Sequence, residues 1–280
     1  MADLTTIILT FNEEKNIANA INSVKSISKR IVIVDSFSTD KTVEIAESLG
    51  AEVIQHEFVN QAKQFIYAMN ILDIKTIWIM RLDADEIISK NAAKEIEGIC
   101  NININSDING IVVRFEVNFL GKALKNGGIY PFRKMIVFKN GKGYMEDRNM
   151  DEHIVLLEGK AIETKNDSYH KDYKNLSTWI DKHNKYSSRE VNDYFDSYKN
   201  NKSVNLNKSA RFKRFIKFKI YYKLPLGTRA HLYYFYRYYF KLGFLDGKEG
   251  KIFAFMQAYW YRFLVDAKIY EHVIDDKKEV

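Results

Sequence analysis

Thr76-Ile77-Trp78-Ile79-Met80-Arg81-Leu82-Asp83-Ala84-Asp85-Glu86 passes from a continuous apolar run into a cluster of acids. An apolar run without alternation reads as a strand buried on both faces, the pattern of a parallel sheet covered by helices. Three such runs precede it, at Thr5 to Thr10, Ile31 to Val34 and Ala51 to His56. Between them Ile17, Ala20, Ile21 and Val24 recur at helical spacing. Thr39 to Leu49 reads as a second helix, with Ser38 or Thr39 as its N-cap and Gly50 as its stop, and Gln61 to Leu72 as a third. Strand and helix alternating over the first hundred residues predict an α/β fold, a Rossmann-like, mostly parallel sheet flanked by helices.

Beyond a helix expected from about Ser89 to Cys100 the pattern changes. Strand runs at Gly110 to Phe119 and Lys134 to Phe138, separated by glycine-bearing turns, predict a mixed or antiparallel half. Leu176 to about Lys199 reads as a polar helix, and from Lys208 the chain is basic and aromatic with helical periodicity. This places a main domain at 1–205 and a C-terminal basic-aromatic helical appendage at 206–280. Over 280 residues, 46% hydrophobic and 28% charged, the composition excludes wholesale disorder. Residues 199–251 hold fourteen Lys or Arg against Asp246 and Glu249, a local charge of +12 in a chain whose total is +7. That asymmetry predicts an anionic partner for the C-terminal part. The lone Cys100 cannot form an intrachain disulfide, and Met1-Ala2-Asp3-Leu4 lacks the basic start of a secretory signal, so a cytoplasmic setting is expected. Arg262 interrupts the apolar stretch from Ile252, which is too short to span a bilayer.

In an open parallel sheet the ligand lies outside the carboxyl ends of the strands. The residues there are Thr10-Phe11-Asn12-Glu13-Glu14, Asp35-Ser36 and Asp83-Ala84-Asp85-Glu86. Carboxylates crowded on one rim need a cation or hydrogen-bond donors among them, which suggests a divalent metal and a hydroxyl-rich ligand. In an extended segment Asp83 and Asp85 point the same way. Their hard oxygens suit Mg²⁺ or Mn²⁺, ions that bridge diphosphate oxygens. No glycine-rich dinucleotide fingerprint follows the first strand and no P-loop occurs, which disfavours dinucleotide oxidoreductases and P-loop NTPases.

Leu9-Thr10-Phe11-Asn12-Glu13-Glu14, Val34-Asp35-Ser36-Phe37-Ser38-Thr39-Asp40-Lys41-Thr42 and Leu82-Asp83-Ala84-Asp85-Glu86 together resemble the family 2 glycosyltransferases of the GT-A fold. Gly127-Gly128-Ile129-Tyr130-Pro131, Met150-Asp151-Glu152-His153, Lys182-His183-Asn184-Lys185-Tyr186-Ser187 and Gly243-Phe244-Leu245-Asp246-Gly247 are similar to the lipopolysaccharide-core β-1,4-glucosyltransferase subgroup. The resemblance implies an inverting hexosyl transfer from a UDP-sugar to a saccharide hydroxyl. It puts Thr10, Phe11, Asn12 and Glu13 around the uridine and Asp35 and Ser36 on the base. Asp83 takes the ribose or metal side and Asp85 the metal, with Lys63, Gln64 and Arg81 as further nucleotide contacts. Inversion needs a base for the acceptor proton. The resemblance offers Glu152, with Asp151 as the alternative because it stands where a His often precedes the Glu. His170 is the candidate third metal ligand, and Tyr130 and Arg133 are candidate acceptor contacts.

Cations and aromatics interleave from Arg211 to Lys223, and a second aromatic block follows at Tyr233 to Phe240. Helical spacing of Phe215, Phe218 and Tyr222 beside lysines predicts docking through residues 208–263 on an anionic membrane surface, the inner face of the cytoplasmic membrane. The acceptor is then expected to be a lipid-linked saccharide, such as a lipopolysaccharide core, capsule or lipid-linked oligosaccharide, and no nucleic acid is expected as partner. Two other readings use the same residues: a sugar nucleotidyltransferase, and a non-catalytic basic module that binds lipid or RNA.

Overall fold

The computed structural model describes residues 1–147, 152–199, 216 and 221–278, without the side chains of 196–199, 222 and 276–278. Asp151, the expected boundary at 205/206 and most of the basic run 208–220, Phe215 and Phe218 included, lie outside the described residues. So does the side chain of Tyr222. The chain forms two compact units, one of Met1–Ala123 with Pro131–Lys174 and one of Leu124–Tyr130 with Asn175–Val280.

In the first unit the strands run β1 (Leu4–Thr10), β2 (Arg30–Asp35), β3 (Glu52–Gln55), β4 (Trp78–Asp83), β5 (Glu86–Ile87) and β6 (Ile108–Phe119). They continue as β7 (Lys122–Leu124), β8 (Phe132–Lys139), β9 (Gly143–Met145), β10 (Ile154–Leu156) and β11 (Lys160–His170). One nine-stranded sheet has the order β3-β2-β1-β4-β8-β6-β11-β5, with β7 paired to β6, and β9 and β10 form a separate antiparallel pair. The first four strands are parallel, β8 is antiparallel to both β4 and β6, and β11 runs parallel to β6. The sheet is therefore mixed, with the helix-linked parallel half at one side, the GT-A arrangement.

Every residue of β1 is buried, and alternate side chains serve opposite layers. Leu4 and Ile8 pack with Ile33, Trp78 and Met80 under α1 (Ile17–Val24) and α4 (Lys90–Ile102). Ile7 and Leu9 pack with Val34, Ile79 and Phe138 under Phe65 and Ala68 of α3 (Gln61–Ile71). Two-sided burial is what removes the polar alternation from these strands. The helix α2 (Thr42–Ser48) starts later than expected. Ser38 gives its backbone N–H (2.9 Å) and hydroxyl (2.5 Å) to Asp35 while its oxygen accepts the Asn12 N–H (2.8 Å), and the Thr39 N–H goes to the Asn12 side chain (2.8 Å), so both residues are bound outside the helix, which starts at Thr42. Asp40 accepts from the Thr42 N–H at 3.0 Å instead.

The second unit is helical. It comprises α5 (Leu176–Lys199), α6 (Thr228–Phe235), α7 (Gly247–Phe253) and α8 (Tyr261–Lys278), with π-helical turns at Tyr236–Phe240 and Ala254–Trp260. Val191 of α5 meets Tyr261, Val265 and Ile269 of α8 in its core. Buried charges there are paired: Arg229 Nε donates to Asp266 at 2.6 Å, and Glu190 accepts from Tyr261 Oη (2.8 Å) and Arg262 (2.7 Å). The segment 124–130 is held in this unit by Asp246, whose carboxylate accepts the backbone N–H groups of Lys125 (3.2 Å) and Asn126 (2.9 Å). Arg237 Nε donates to the Gly127 carbonyl at 2.7 Å, and the Gly127 N–H donates to the Lys241 carbonyl at 2.8 Å. A Cβ on Gly243 would lie 2.9 Å from the Arg237 carbonyl, so both glycine-bearing stretches, 127–131 and 243–247, contain a residue fitted to this close packing. Among the described residues no helix is long and apolar enough to cross a membrane.

Candidate active site

Parallel register brings the strand ends of the first unit together, with Thr10 opposite Asp35 and Leu9 opposite Asp83. Asp35 is buried and surrounded by donors: Thr10 Oγ1 at 3.1 Å, the Ser38 N–H and hydroxyl, and Gln55 Nε2 at 3.3 Å. Ser36 receives Gln64 Nε2 at 2.5 Å, and Gln64 is itself bonded to His56, which stacks on Tyr67 at 3.9 Å. Asn12 and Phe37 sit at positive φ, 52° and 59°, a strained conformation for residues with side chains. Phe11 and Phe37, next in sequence to Thr10 and Ser36, remain about half exposed. Exposed apolar rings next in the chain to a floor of fixed donors and acceptors suit a flat heterocycle.

Beside this floor lies a network of charges. Arg81, on β4 and 2% exposed, sends Nη2 to Gln61 (3.0 Å), Asp83 (3.2 Å) and Glu152 (3.0 Å). Its Nε is buried without a partner among the described residues. Lys134, on β8, donates to Asp83 at 2.5 Å and to Glu86 at 2.9 Å. Burial by itself would raise Asp83, but Arg81 and Lys134 outweigh it and hold the carboxyl at about 2. Burial lowers the basicity of both cations, and the surrounding carboxylates more than restore it.

A third group forms at Asp85. The antiparallel pairing of β5 with β11 sets His170 opposite Glu86 and returns the Asp85 turn to the imidazole, with Nε2 3.5 Å from Asp85 Oδ2. Glu13 has its carboxyl raised by burial and then by the charge of Asp85, although Lys174 (2.6 Å) and Asn16 (2.7 Å) both donate to it. Among the described residues no trio of His, Cys, Asp or Glu is gathered to enclose a metal. A carboxylate and an imidazole at this spacing nevertheless suit two adjacent ligands of an octahedral ion, which lie about 3 Å apart. Mg²⁺ and Mn²⁺ sites with nucleotides take the rest of the shell from phosphate and water, so the donor set fits such an ion.

Of the expected residues, Thr10, Asn12, Asp35, Ser36 and Gln64 form the polar floor, and Phe11, between Thr10 and Asn12, is half exposed. Arg81, Asp83 and Glu152 share one guanidinium, and Glu13, Asp85 and His170 form the third cluster. The expected metal trio is divided: Asp83 is bonded to Lys134 and Arg81, while Asp85 faces His170. Lys63 pairs with Asp147 at 2.5 Å on the surface, and Arg133 with Glu163 at 2.8 Å, so neither is bonded to these clusters. Tyr130 belongs to the second unit, where Lys125 lies 4.1 Å from its ring centre. Gln61, Lys134 and Lys174 were not anticipated. A lysine inside the strand run Phe132 to Lys139 was the available sign for Lys134, since a buried strand rarely carries a charge without a partner.

Residues 5–141 match the family described as Glycosyl transferase family 2. An uncharacterized glycosyltransferase of Rickettsia typhi is 30% identical, over 97% of this chain and 88% of its own. The chain is a family 2 glycosyltransferase. To this family 2 chain an uncharacterized glycosyltransferase of Rickettsia felis is also similar, 29% identical over 100% of this chain and 94% of its own. Among solved structures, the mannosyltransferase PcManGT of Pyrobaculum calidifontis, in complex with GDP-Man and Mn²⁺, matches with a TM-score of 0.57 at 13% identity. It covers 96% of this chain and 87% of its own, a likeness of fold. Membership of this glycosyltransferase family displaces the nucleotidyltransferase and the non-catalytic binding-module readings.

Proposed function

We propose that this family 2 glycosyltransferase moves a hexose with inversion from a UDP-sugar to a hydroxyl of a lipid-linked saccharide, of the lipopolysaccharide-core type, at the inner face of the cytoplasmic membrane. The observation that carries the catalytic reading is the Arg81 guanidinium, which bonds both Asp83 and Glu152. A strand-end aspartate of the donor site and a carboxylate able to serve the acceptor are thereby held by one rigid group.

In this reading the floor of Asp35, Ser36 and Gln64 receives the base, with Phe11 against its face. Glu152 takes the proton of the acceptor hydroxyl while the hydroxyl oxygen attacks the anomeric carbon from the face opposite the diphosphate. The new glycosidic bond forms as the bond to the diphosphate oxygen breaks, and UDP leaves with that electron pair. The sugar carries oxocarbenium character in between. Asp85 and His170 would hold the divalent ion, Mg²⁺ or Mn²⁺, which when bound neutralises charge on the leaving diphosphate. The Mn²⁺ in PcManGT supports the ion. Its GDP-Man makes guanine nucleotides the comparison to run against uridine ones.

Turnover of a panel of UDP- and GDP-sugars, with Mg²⁺, Mn²⁺ or EDTA, tests the proposal. Asp85→Ala should abolish turnover, and Glu152→Gln should lower kcat roughly 100-fold or more while donor binding persists. Full activity in either variant, or activity indifferent to EDTA, would remove the corresponding assignment.

A further inference from the structure

We infer that the end of the π-helical turn Tyr236–Phe240 in the second unit is a membrane-inserting tip, built from Phe235, Tyr236, Tyr239, Phe240, Phe244 and Leu245. This deepens the lipid-linked acceptor reading and rests on it for its purpose, although the physical case stands on the surface alone. All six side chains are exposed, Phe240 at 79% and Leu245 at 59%. Large apolar groups on a soluble surface are ordinarily scattered, and a contiguous ordered set marks an interaction site.

The set is contiguous because of the helix geometry. Through the π turn residues four apart lie side by side: Phe235 stacks on Tyr239 at 5.3 Å, and Tyr234 on Tyr238 at 5.4 Å. Tyr234 and Tyr238 form the half-buried row, which leaves 235/239 and 236/240 as the outward rows. The helix ends at Phe240 with Lys241 as its cap, and Leu242, a branched residue at φ 58°, leads at once into Gly243–Asp246 with Phe244 and Leu245 exposed. Such a conformation costs free energy and persists only where its surroundings impose it. Directly beneath, the buried Asp246 carboxylate bonds the backbone at Lys125 and Asn126, and Leu245 N–H donates to the Leu242 carbonyl at 3.0 Å. The apolar groups are thus fixed outward on a rigid base.

The charges around the tip select its partner. Lys241, Lys248 and Lys251 are exposed beside it, with Glu249 as the acid in residues 240–252 that is not buried in the Asp246 clamp. Protein interfaces are depleted in lysine, whereas an interfacial anchor pairs inserted Phe and Leu with Tyr at the headgroup level and lysines on anionic phosphates. A bilayer bearing anionic lipid satisfies all three features together. The basic stretch 208–220, expected from the sequence to be the anchor, is not needed for this assignment.

Flotation of the full-length protein with phosphatidylcholine vesicles, with and without phosphatidylglycerol, reads the interaction directly. Binding to the anionic vesicles is expected, weaker on neutral vesicles and at high salt. The double variant Phe240→Ser/Leu245→Ser should lower the partition coefficient roughly 30-fold or more. It should leave the melting temperature and metal-dependent donor hydrolysis unchanged. As a second readout that keeps the apolar tip almost whole, Leu245→Cys carrying an environment-sensitive fluorophore should shift to the blue on anionic vesicles. The label is selective because Cys100 is 1% exposed. No flotation of the wild type, equal flotation of the double variant, an unshifted fluorophore, or a dimer in solution that the double variant disperses would each overturn the inference. Vesicle binding with turnover of only lipid-free saccharides would instead keep the tip and remove the lipid-linked acceptor.

Discussion

Replacing Arg81 by Met removes a buried cation while leaving its carboxylate partners in place. Asp83 keeps Lys134 at 2.5 Å, but Glu152, with a side chain only 11% exposed, loses the guanidinium 3.0 Å away. Breaking a buried pair by deleting one partner costs about 3 to 5 kcal/mol, and the surviving Lys134 places this case near the lower end. At about 2 to 4 °C per kcal/mol the melting temperature should fall by roughly 6 to 12 °C. Adding Glu152→Gln removes the stranded charge, so the double variant should be more stable than Arg81→Met by about 1 to 2 kcal/mol, although Glu152→Gln alone is destabilising. That reversal of sign identifies the pair independently of activity, and urea unfolding of the four proteins measures it. Arg81→Lys keeps the charge without the planar fork, and loss of carboxylate orientation should lower kcat/KM roughly tenfold to a hundredfold, with donor KM little changed. Additive single and double variants, or an Arg81→Lys enzyme with wild-type kcat/KM, would refute the reasoning.

Burial, and then Glu97, push the Cys100 thiol up to about 12 from an ordinary value of 9.0. The folded state therefore favours the protonated thiol, and its contribution, complete below pH 9, is lost as pH rises toward 12. Wild type should lose roughly 2 to 3 kcal/mol more than Cys100→Ala between pH 9 and 11, read by urea unfolding at each pH. Asp246→Ala strips acceptors from the backbone N–H groups of Lys125 and Asn126, which should cost about 2 to 4 kcal/mol and open 124–130 to limited proteolysis. Gly159→Ala would put a Cβ 2.4 Å from the Asp107 carbonyl at a φ of +76°, and a loss of about 2 kcal/mol or more is expected in thermal unfolding.

The parallel half of the sheet was legible because its signal is local. A strand buried on both faces has to be continuously apolar, and the residue that ends it falls on the ligand rim, so Asp35, Asp83 and Asp85 could be named from their positions in runs of six or so residues. Glu152 and His170 came from the resemblance, since strand periodicity says nothing about a loop acid or about which strand neighbours β5. Lys134 and Lys174 were missed for a related reason. Lys134 reaches Asp83 from a sequence separation of 51 across the antiparallel pairing of β8 with β4, and Lys174 reaches Glu13 from a separation of 161 between two loops, neither of which the pattern orders. The delayed start of α2 has a different cause: Ser38 and Thr39 have the right chemistry for a cap, but bonds to Asp35 and Asn12 fix them outside the helix, with the Ser38 oxygen accepting the Asn12 N–H instead of a helix N–H. In the helical unit, buried Arg229 and Arg237 looked like part of a basic surface, while the structure engages them with Asp266 and the Gly127 carbonyl.

The clamp on residues 124–130 bears on how this protein can be cut. Those seven residues run from the last residue of β7 toward β8 yet belong to the helical unit, so the chain leaves the first unit and returns to it before β8. Ending the gene after codon 174 would leave the N–H groups of Lys125 and Asn126 without the Asp246 carboxylate and Gly127 without Arg237, in the middle of the remaining polypeptide. A shortened enzyme would need that seven-residue excursion redesigned as a self-sufficient turn, and exchange of the helical part between homologues would have to carry both segments at once.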